Sequence, residues 1–156
     1  MKLHEYKPSF KSKIENYTLT EEQLRYTGTP VENVALAEID ADRHAILAIE
    51  ENELVTFFVL HENEGVKPYS ENPKAILLRA FSTDFNHQGK GNAKKALMLL
   101  PQYVCTEFPY ADEIVLAANL NNYAAQLLYK KCGYIDEGLR KMGRKGELII
   151  MSYYLN

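Results

Sequence analysis

The fold is decided by one stretch, residues 75–104, which reads AILLRAFSTDFNHQGKGNAKKALMLLPQYV. Residues 75–83 are largely apolar and too few for a typical helix, so they predict a central strand. After a glycine-containing loop, apolar residues recur at helical spacing until Pro109, and Pro101 inside this pattern is expected to kink or divide the helix. The stretch therefore predicts a strand, a loop and a helix in direct succession.

The loop between this strand and helix has the chemistry of an anion cradle. Gly89 and Gly91 allow close backbone approach, and the amides from Gly89 to Lys94 would lie at a helix N-terminus, whose partial positive charge favours phosphate. A turn that needs glycine only for its geometry is the alternative, and the residues alone leave both open. Two nucleotide motifs do not fit. The chain has no Gly-Lys-Ser/Thr, and Lys94 stands where a dinucleotide fingerprint counted from Gly89 needs Gly or Ala.

The elements on either side of this stretch extend the same architecture. Thr20 begins a short predicted helix that Gly28 and Pro30 stop, and Gly133 is expected to end the last helix. The order strand-strand-strand-helix-strand-helix-strand-strand predicts a mixed α/β sheet. The predicted elements outside 75–104 are a helix at 20–26, a hairpin of 44–49 and 54–61, a surface loop at 62–74, a strand at 113–120, a helix at 122–132, and strands at 134–140 and 147–155.

Length, charge and cysteine content narrow the class of protein. With 156 residues, of which 18 are basic and 21 acidic, the chain fits one domain and has no general basic surface for nucleic acid. Cys105 and Cys132 have no paired Cys or His spacing, so neither zinc nor a disulfide framework is expected. No apolar run approaches the ~20 residues that span a bilayer, and the first residues lack a signal-peptide pattern. These features predict a cytoplasmic protein with no membrane partner.

Two segments together resemble one enzyme family. Residues 88–93, QGKGNA, are similar to the Gln/Arg-x-x-Gly-x-Gly/Ala signature of the GNAT superfamily of acetyl-CoA-dependent N-acetyltransferases, with Asn92 at a position that is usually apolar. Residues 122–134 resemble the family's Asn-x-x-Ala-x-x-Leu-Tyr-x-x-x-Gly-Phe segment, with Tyr134 in place of the usual Phe. The resemblance implies an α/β GNAT fold. It would be a single domain over residues 1–156, with a central mixed, mostly antiparallel sheet flanked by helices.

The resemblance also implies where acetyl-CoA binds. The family holds the cofactor's pyrophosphate with main-chain amides of the loop, and the pantetheine arm lies against the main chain of the first core strand. Lysines near the loop would add Coulomb attraction to phosphate, although solvated lysines are the common case at such positions. The implied cofactor-binding residues are Phe81 and Thr83 in the strand, Gln88, Gly89, Lys90, Gly91, Asn92, Ala93 and Lys94 in the loop and helix start, and Asn122 near the arm.

Tyr129 is the catalytic candidate that the resemblance implies. Transfer of acetyl to an amine expels a thiolate, and a tyrosine hydroxyl can protonate it as a general acid. Without the surrounding motif, Tyr129 would be read as one more aromatic residue on an amphipathic helix. The acceptor's proton also needs a base. Candidates for that base are Glu21, Glu22, His44 and His87.

Two further residues are given structural roles. Arg79 lies inside an apolar strand, so we expect it to pair with a structural carboxylate. Cys132 has no histidine partner in the sequence, so we expect a small buried hydrophobic residue and no covalent enzyme intermediate.

The acceptor is expected to be a primary amine of a small molecule. Acids in the N-terminal third favour a polyamine or another small cationic amine that enters near residues 21–26. A protein N-terminus or lysine is the alternative acceptor, and a catalytically silent CoA-binding module is the alternative class. The chain should need no metal, and a homodimer stays open. The acids counted beyond the short helix are Glu32, Glu38, Asp40 and Asp42.

Overall fold

A seven-stranded sheet forms the centre of the protein, whose computed structural model describes residues 1–155. Its strands are β1 (Lys2–Glu5), β2 (Arg43–Glu50), β3 (Glu53–His61), β4 (Ala75–Thr83), β5 (Glu113–Asn119), β6 (Ile135–Gly143) and β7 (Gly146–Tyr154). The α-helices are α1 (Lys11–Glu15), α2 (Glu21–Leu24), α3 (Pro30–Ile39), α4 (Asn92–Glu107) and α5 (Tyr123–Lys131). The strand order is β1-β2-β3-β4-β5-β7-β6, and neighbours are antiparallel except β4 and β5.

Each face of the sheet packs against its own helices. Successive strand residues point to opposite faces, so Phe58 belongs to the same buried cluster as Leu97 of α4, while Phe57 belongs to the cluster of Ile14 in α1 and Val34 in α3. Both phenylalanines have no exposed surface. Burial of each such side chain stabilises the fold by roughly 1.5–3 kcal/mol. The sheet is therefore held between α4 and α5 on one face and α1 and α3 on the other.

Strands β4 and β5 pair over only part of their length. The parallel ladder runs from Ala75 opposite Glu113 to Leu78 opposite Leu116, although both strands continue beyond it. Past this point the pairing of β4 with β3 shifts register, and Ala80 has a φ of 55°. An extra residue in one strand bends that strand and increases its twist. The two central strands therefore separate after Leu78 and leave a gap in the sheet.

The structure confirms the predicted fold class, a single α/β domain, and most of the predicted elements. The predicted domain extends to Asn156, which lies outside the described residues. The predicted short helix is α2, and its N-cap Thr20 forms a capping box with Gln23. Among the helices of residues 1–155, none is long and apolar enough to cross a membrane.

The structure adds elements to those predicted and changes the role of two prolines. Strand β1 and helices α1 and α3 were not predicted at all. Pro30 was taken as a stop, but it lies in the first turn of α3, where the missing N–H costs nothing, and Thr29 caps that helix. Pro101 was expected to kink or divide α4. Division was wrong, because the helix continues from Asn92 to Glu107, and a kink stays a prediction.

Replacing Thr29 by Ala should destabilise the protein by about 1 kcal/mol. The Thr29 side chain accepts the Glu32 amide, and its loss leaves that donor at the start of α3 without its cap. Urea unfolding measures the change, with Thr106→Ala as control because Thr106 is exposed in the last turn of α4 and caps no helix start. An equal loss in both variants would contradict the role of the cap.

Candidate active site

Helix α4 begins without a side-chain cap. Gly91 holds its N-cap position with a φ of 78°, no side chain bonds to the first amides, and the first turn contains no acid. In contrast, Thr20, Thr29 and Asn122 each accept an amide at the start of α2, α3 and α5. The free amides and the dipole of a helix of 16 residues together suit an anion. The geometry therefore favours the anion cradle over a turn that needs glycine only for its shape.

Asn92, the first residue of α4, holds the preceding loop in place. This residue is buried, and its side-chain amide donates to the carbonyl of His87 at 3.0 Å. A polar residue at a usually apolar position thus closes the loop onto the helix start. Gln88, Gly89, Lys90 and Lys94 are exposed around it.

A cavity of about 540 Å³ adjoins the start of α4. Its lining combines apolar residues with two lysines, a composition suited to a ligand that has both apolar and anionic parts. The lining residues are Met1, Gly91, Lys94, Lys95, Met98 and Leu99.

The end of β4 is tied to the segment around α2. The Gln23 side chain donates to the Thr83 carbonyl at 2.7 Å, and the Tyr17 hydroxyl donates to the Ser82 carbonyl at 2.7 Å. The Thr83 hydroxyl bonds to that of Thr56 at 3.1 Å. The Thr83 carbonyl and hydroxyl are thus already engaged by the protein. The sequence analysis missed Gln23, although its place in the capping box, three residues after Thr20, was a usable signal.

Tyr129 lies beneath the gap in the sheet rather than on the surface. Its ring packs edge-on against Phe81 of β4 at 6.1 Å between centroids and lies 5.9 Å from the Tyr134 ring. Burial first, and the nearby Cys132 second, raise the pKa of Tyr129 well above its ordinary value. The hydroxyl is therefore protonated at neutral pH, as a proton donor must be.

Two neighbours of Tyr129 are also buried. Burial raises the pKa of the Cys132 thiol, and the positive charge of Lys94 partly opposes this. Cys132 lies in the core cluster, as the sequence predicts for a small hydrophobic residue. The Tyr134 hydroxyl is buried with no hydrogen-bond partner among residues 1–155.

Asn122 and Gly133 bound α5 as the sequence predicts. The Asn122 side chain accepts the Ala125 amide at 3.2 Å, and Gly133, with a φ of 96°, follows the helix end. The second role expected of Asn122, near the cofactor arm, stays a prediction.

The histidines considered as the base are already paired. His44 Nε2 lies 2.7 Å from Glu62 and its ring packs against Phe108, just beyond the C-terminal end of α4. A helix of 16 residues is ~24 Å long, so His44 is remote from the loop. His87 Nε2 lies 2.9 Å from Glu53.

Glu21 and Glu22 remain near the site. Both lie in the first turn of α2, next to Gln23, which bonds to the end of β4. Both side chains are exposed, and Glu22 lies 3.5 Å from Arg25.

The sequence analysis took several other acids as evidence for a cationic acceptor, and most of them are paired with groups of the protein itself. Glu32 accepts at the start of α3, and Asp40 lies 3.3 Å from Arg43 and 3.4 Å from His61. Asp42 accepts the Asn63 side-chain amide at 2.9 Å. Of the acids beyond α2 counted in the sequence analysis, Glu38 is left as an exposed side chain.

The expected partner of Arg79 was wrong. Its Nη1 lies 3.2 Å from Nδ1 of His61, and no carboxylate of the described residues comes within 4.0 Å to form a salt bridge. Burial and the positive charge of Arg43 lower the pKa of Arg79. The sequence could not predict this partner, because it depends on the strand register. Leu77 of β4 lies directly opposite His61 of β3, and this places the His61 ring close to the Arg79 side chain two residues further along β4.

The chain matches the model of the acetyltransferase (GNAT) family over residues 6–134 and belongs to that family. A relative from Bacillus subtilis (strain 168), named as the uncharacterised N-acetyltransferase YbbJ, is 40% identical over 151 residues, which cover 96% of this chain and 94% of the relative. The protein is thus an acetyl-CoA-dependent N-acetyltransferase.

Two solved structures show the same fold. The first is aminoglycoside acetyltransferase AAC(6')-Ib in complex with coenzyme A, with a TM-score of 0.80, 15% identity, and coverage of 97% of this chain and 93% of that one. The second is spermidine N-acetyltransferase from Vibrio cholerae in complex with CoA and spermine, with a TM-score of 0.74, 19% identity, and coverage of 98% and 94%. At this identity, the likeness extends to the fold alone.

Gly91→Val should weaken CoA binding strongly. No atom lies within 4 Å of a Cβ built at Gly91, so the new side chain would enter the open space that a phosphate would fill. The matched control is Gly138→Val in β6, because Gly138 has a φ of 93° and equally open surroundings. Both variants have the same kind of backbone strain, about 1–2 kcal/mol. Calorimetric titration should show weaker CoA binding in Gly91→Val only. Equal CoA affinities of the two variants would mean that the phosphate does not bind at Gly91.

Proposed function

We propose that this enzyme transfers acetyl from acetyl-CoA directly to the primary amine of a small molecule, with Tyr129 as the general acid. The observation that supports this most is the gap between β4 and β5, with the uncapped start of α4 beside it and buried Tyr129 beneath it. The gap gives an extended arm a strand edge to lie against, and the helix start gives its anionic end a place to bind.

In this proposal each part of the cofactor meets a different element. The pyrophosphate binds the amides at the start of α4, and the exposed lysines there add Coulomb attraction. The pantetheine arm lies along the free edge of β4. The residues proposed for these contacts are Phe81 and Thr83 on the strand, Gln88, Gly89, Lys90, Gly91, Asn92, Ala93 and Lys94 at the loop and helix start, and Asn122 at the start of α5.

The proposed reaction has one transfer step. The neutral amine nitrogen attacks the thioester carbonyl carbon, the carbon–sulfur bond breaks, and the electron pair leaves with sulfur. The Tyr129 hydroxyl donates its proton to the departing thiolate. The nitrogen, which is positively charged after its attack, releases one proton to water, and water returns one proton to Tyr129. The high pKa of Tyr129, caused by burial, keeps this proton in place until the thiolate forms.

The acceptor must lose a proton before it attacks. An alkyl amine with a pKa near 10.4 is almost wholly protonated at pH 7, and its deprotonation costs about 4.6 kcal/mol. Glu21 and Glu22 are the proposed acceptors of this proton, directly or through water, because α2 is bonded to the end of β4.

Small amines are the proposed acceptor class. The two fold neighbours act, by their names, on a polyamine and on aminoglycosides. A protein N-terminus or lysine is the alternative acceptor. Release of free CoA from acetyl-CoA, measured with polyamines, aminoglycosides, amino acids and peptides, tests the proposal. CoA binding without release in the presence of any amine would favour a silent binding module.

A cytoplasmic location and a homodimer stay predictions.

Tyr129→Phe should lower turnover about 10- to 1000-fold, the range that general acid catalysis supplies. The ring still packs against Phe81, so the fold and most of the CoA affinity should remain. The loss should appear in kcat more than in KM. Single-turnover kinetics measures the chemical step even where product release limits the parent enzyme, and an unchanged single-turnover rate would rule out the assigned role.

Tyr134→Phe is the matched control for this experiment. Its hydroxyl is buried without a partner in the described part of the chain, so its removal should stabilise the protein by about 1 kcal/mol and leave turnover in place. If turnover falls in Tyr134→Phe and not in Tyr129→Phe, the general acid is Tyr134.

The pH dependence of kcat/KM should follow the acceptor and not Tyr129. The rate should rise with pH as the amine loses its proton, and the raised pKa of Tyr129 means that its ionisation causes no fall below about pH 10. Measurements with two amines of different pKa distinguish ionisation of the amine from ionisation of Tyr129. The pH at which the rate rises should shift with the pKa of the amine. A falling limb at pH 8–10 that is lost in Tyr129→Phe would contradict this assignment.

A further inference from the structure

Arg79 is a partly buried cation that no acid of the described chain neutralises. Its polar partner is a ring nitrogen of His61 at 3.2 Å, and the other nitrogen of that ring lies 3.4 Å from Asp40, which is itself paired with Arg43 at 3.3 Å. Removal of a guanidinium from water without a carboxylate is unfavourable. The fold therefore keeps an unneutralised positive charge in the middle of its central strand.

A second cation shares this face of the sheet. Lys141 of β6 lies opposite Leu148 of β7, and its ammonium is 5.8 Å from the centre of the Tyr69 ring. Within residues 1–155, Lys141 forms no salt bridge either.

Arg79 lies where the gap between the central strands begins. The pairing of β4 with β5 ends at Leu78, so Arg79 is the first residue of β4 beside the opening. Arg79 lies opposite Val59 and shares its face, which is the face of α1 and α3. Phe81 and Tyr129 belong to the cluster on the other face. An amine that reaches a thioester in the gap from the α1 and α3 face therefore passes Arg79.

We propose that Arg79 binds a carboxylate of the acceptor, so that the acetylated molecule carries both a primary amine and a carboxylate. The planar fork of a guanidinium matches a carboxylate, and one bound carboxylate would neutralise the charge of Arg79. Lys141, on the same face of the sheet, would add a longer-range attraction. This inference rests on the proposed acetyl transfer and narrows its acceptor to amino acids or short peptides with a free C-terminus.

The spacing favours a long acceptor over an α-amino acid. Arg79 and Phe81 lie on opposite faces of the sheet, on either side of the bend at Ala80, and the Arg79 guanidinium lies toward His61. The amine and the carboxylate should therefore be separated by several bonds. An ω-amino acid, the side-chain amine of free lysine, or the N-terminus of a dipeptide or tripeptide has this separation.

The test compares each acid with its own amide. A series of ω-amino acids from 3-aminopropanoate to 8-aminooctanoate, each beside its carboxamide, serves as a ruler for the amine-to-carboxylate distance. CoA release is measured on the wild type, on Arg79→Gln, and on Arg140→Gln as control. Arg140 is an exposed arginine of β6 that pairs with Asp136. Thermal unfolding checks that Arg79→Gln is folded, which we expect because the substitution removes an unpaired charge.

The wild type should favour the acid over the amide by about 10- to 100-fold in kcat/KM, the value of a hydrogen bond to a charged group. Arg79→Gln should remove this preference, mainly through KM for the acid, and Arg140→Gln should keep it. Equal use of acid and amide by the wild type, or a preference for spermidine that Arg79→Gln leaves unchanged, would overturn the inference and leave the proposed transfer intact.

A binding measurement separates this inference from failure of the proposed function. If no amine causes CoA release, calorimetry of 6-aminohexanoate and its amide on the CoA-saturated protein still reports on Arg79. Binding of the acid that is lost in Arg79→Gln would support the carboxylate site in a protein that does not catalyse transfer. Equal binding of acid and amide, or binding of neither, would overturn it. If Arg79→Gln does not fold, Arg79→Lys replaces it, and a drop in the preference is again expected because the fork is lost.

Discussion

The separation of β4 from β5 after Leu78 is the constraint on which the site depends. An extra residue near Ala80 shifts the pairing with β3 and bends β4 away from its parallel neighbour. The sheet then has a gap at its centre where both faces can be reached. Tyr129 lies on one face and Arg79 borders the other. A continuous sheet would separate an acid on one face from a substrate on the other, and the gap removes that barrier.

The start of α4 and the guanidinium of Arg79 are polar groups that the protein leaves without the usual partner where its chemistry is expected. Helices α2 and α3 begin with complete capping boxes, but α4, the longest helix, has no side-chain cap. The Arg79 guanidinium is likewise partly buried without a carboxylate partner in the described residues. Each arrangement costs folding free energy, and such costs concentrate at functional sites, where ligands supply the missing contacts.

Local chemistry explains what the sequence could predict. The apolar strand 75–83, the glycines of the loop and the caps Thr20 and Asn122 act within a few residues, so their patterns are visible in the chain. Helix α3 was missed because Pro30 serves both to stop one helix and to start the next. Partners distant in sequence could not be predicted, because contacts such as Gln23 to Thr83 depend on how α2 packs on the sheet.

The difference between local patterns and contacts distant in sequence also explains why the charges in the sequence were a weak guide to the acceptor. The acids of the N-terminal third suggested a cationic ligand, but Asp40 faces Arg43 and His61, and Asp42 accepts from Asn63. A charge that is already paired contributes little to the field felt by a ligand, whereas a single unpaired one that is partly shielded from water contributes much. Recognition of the acceptor should therefore depend less on the net charge of -3 than on the one guanidinium beside the gap that the protein does not neutralise itself.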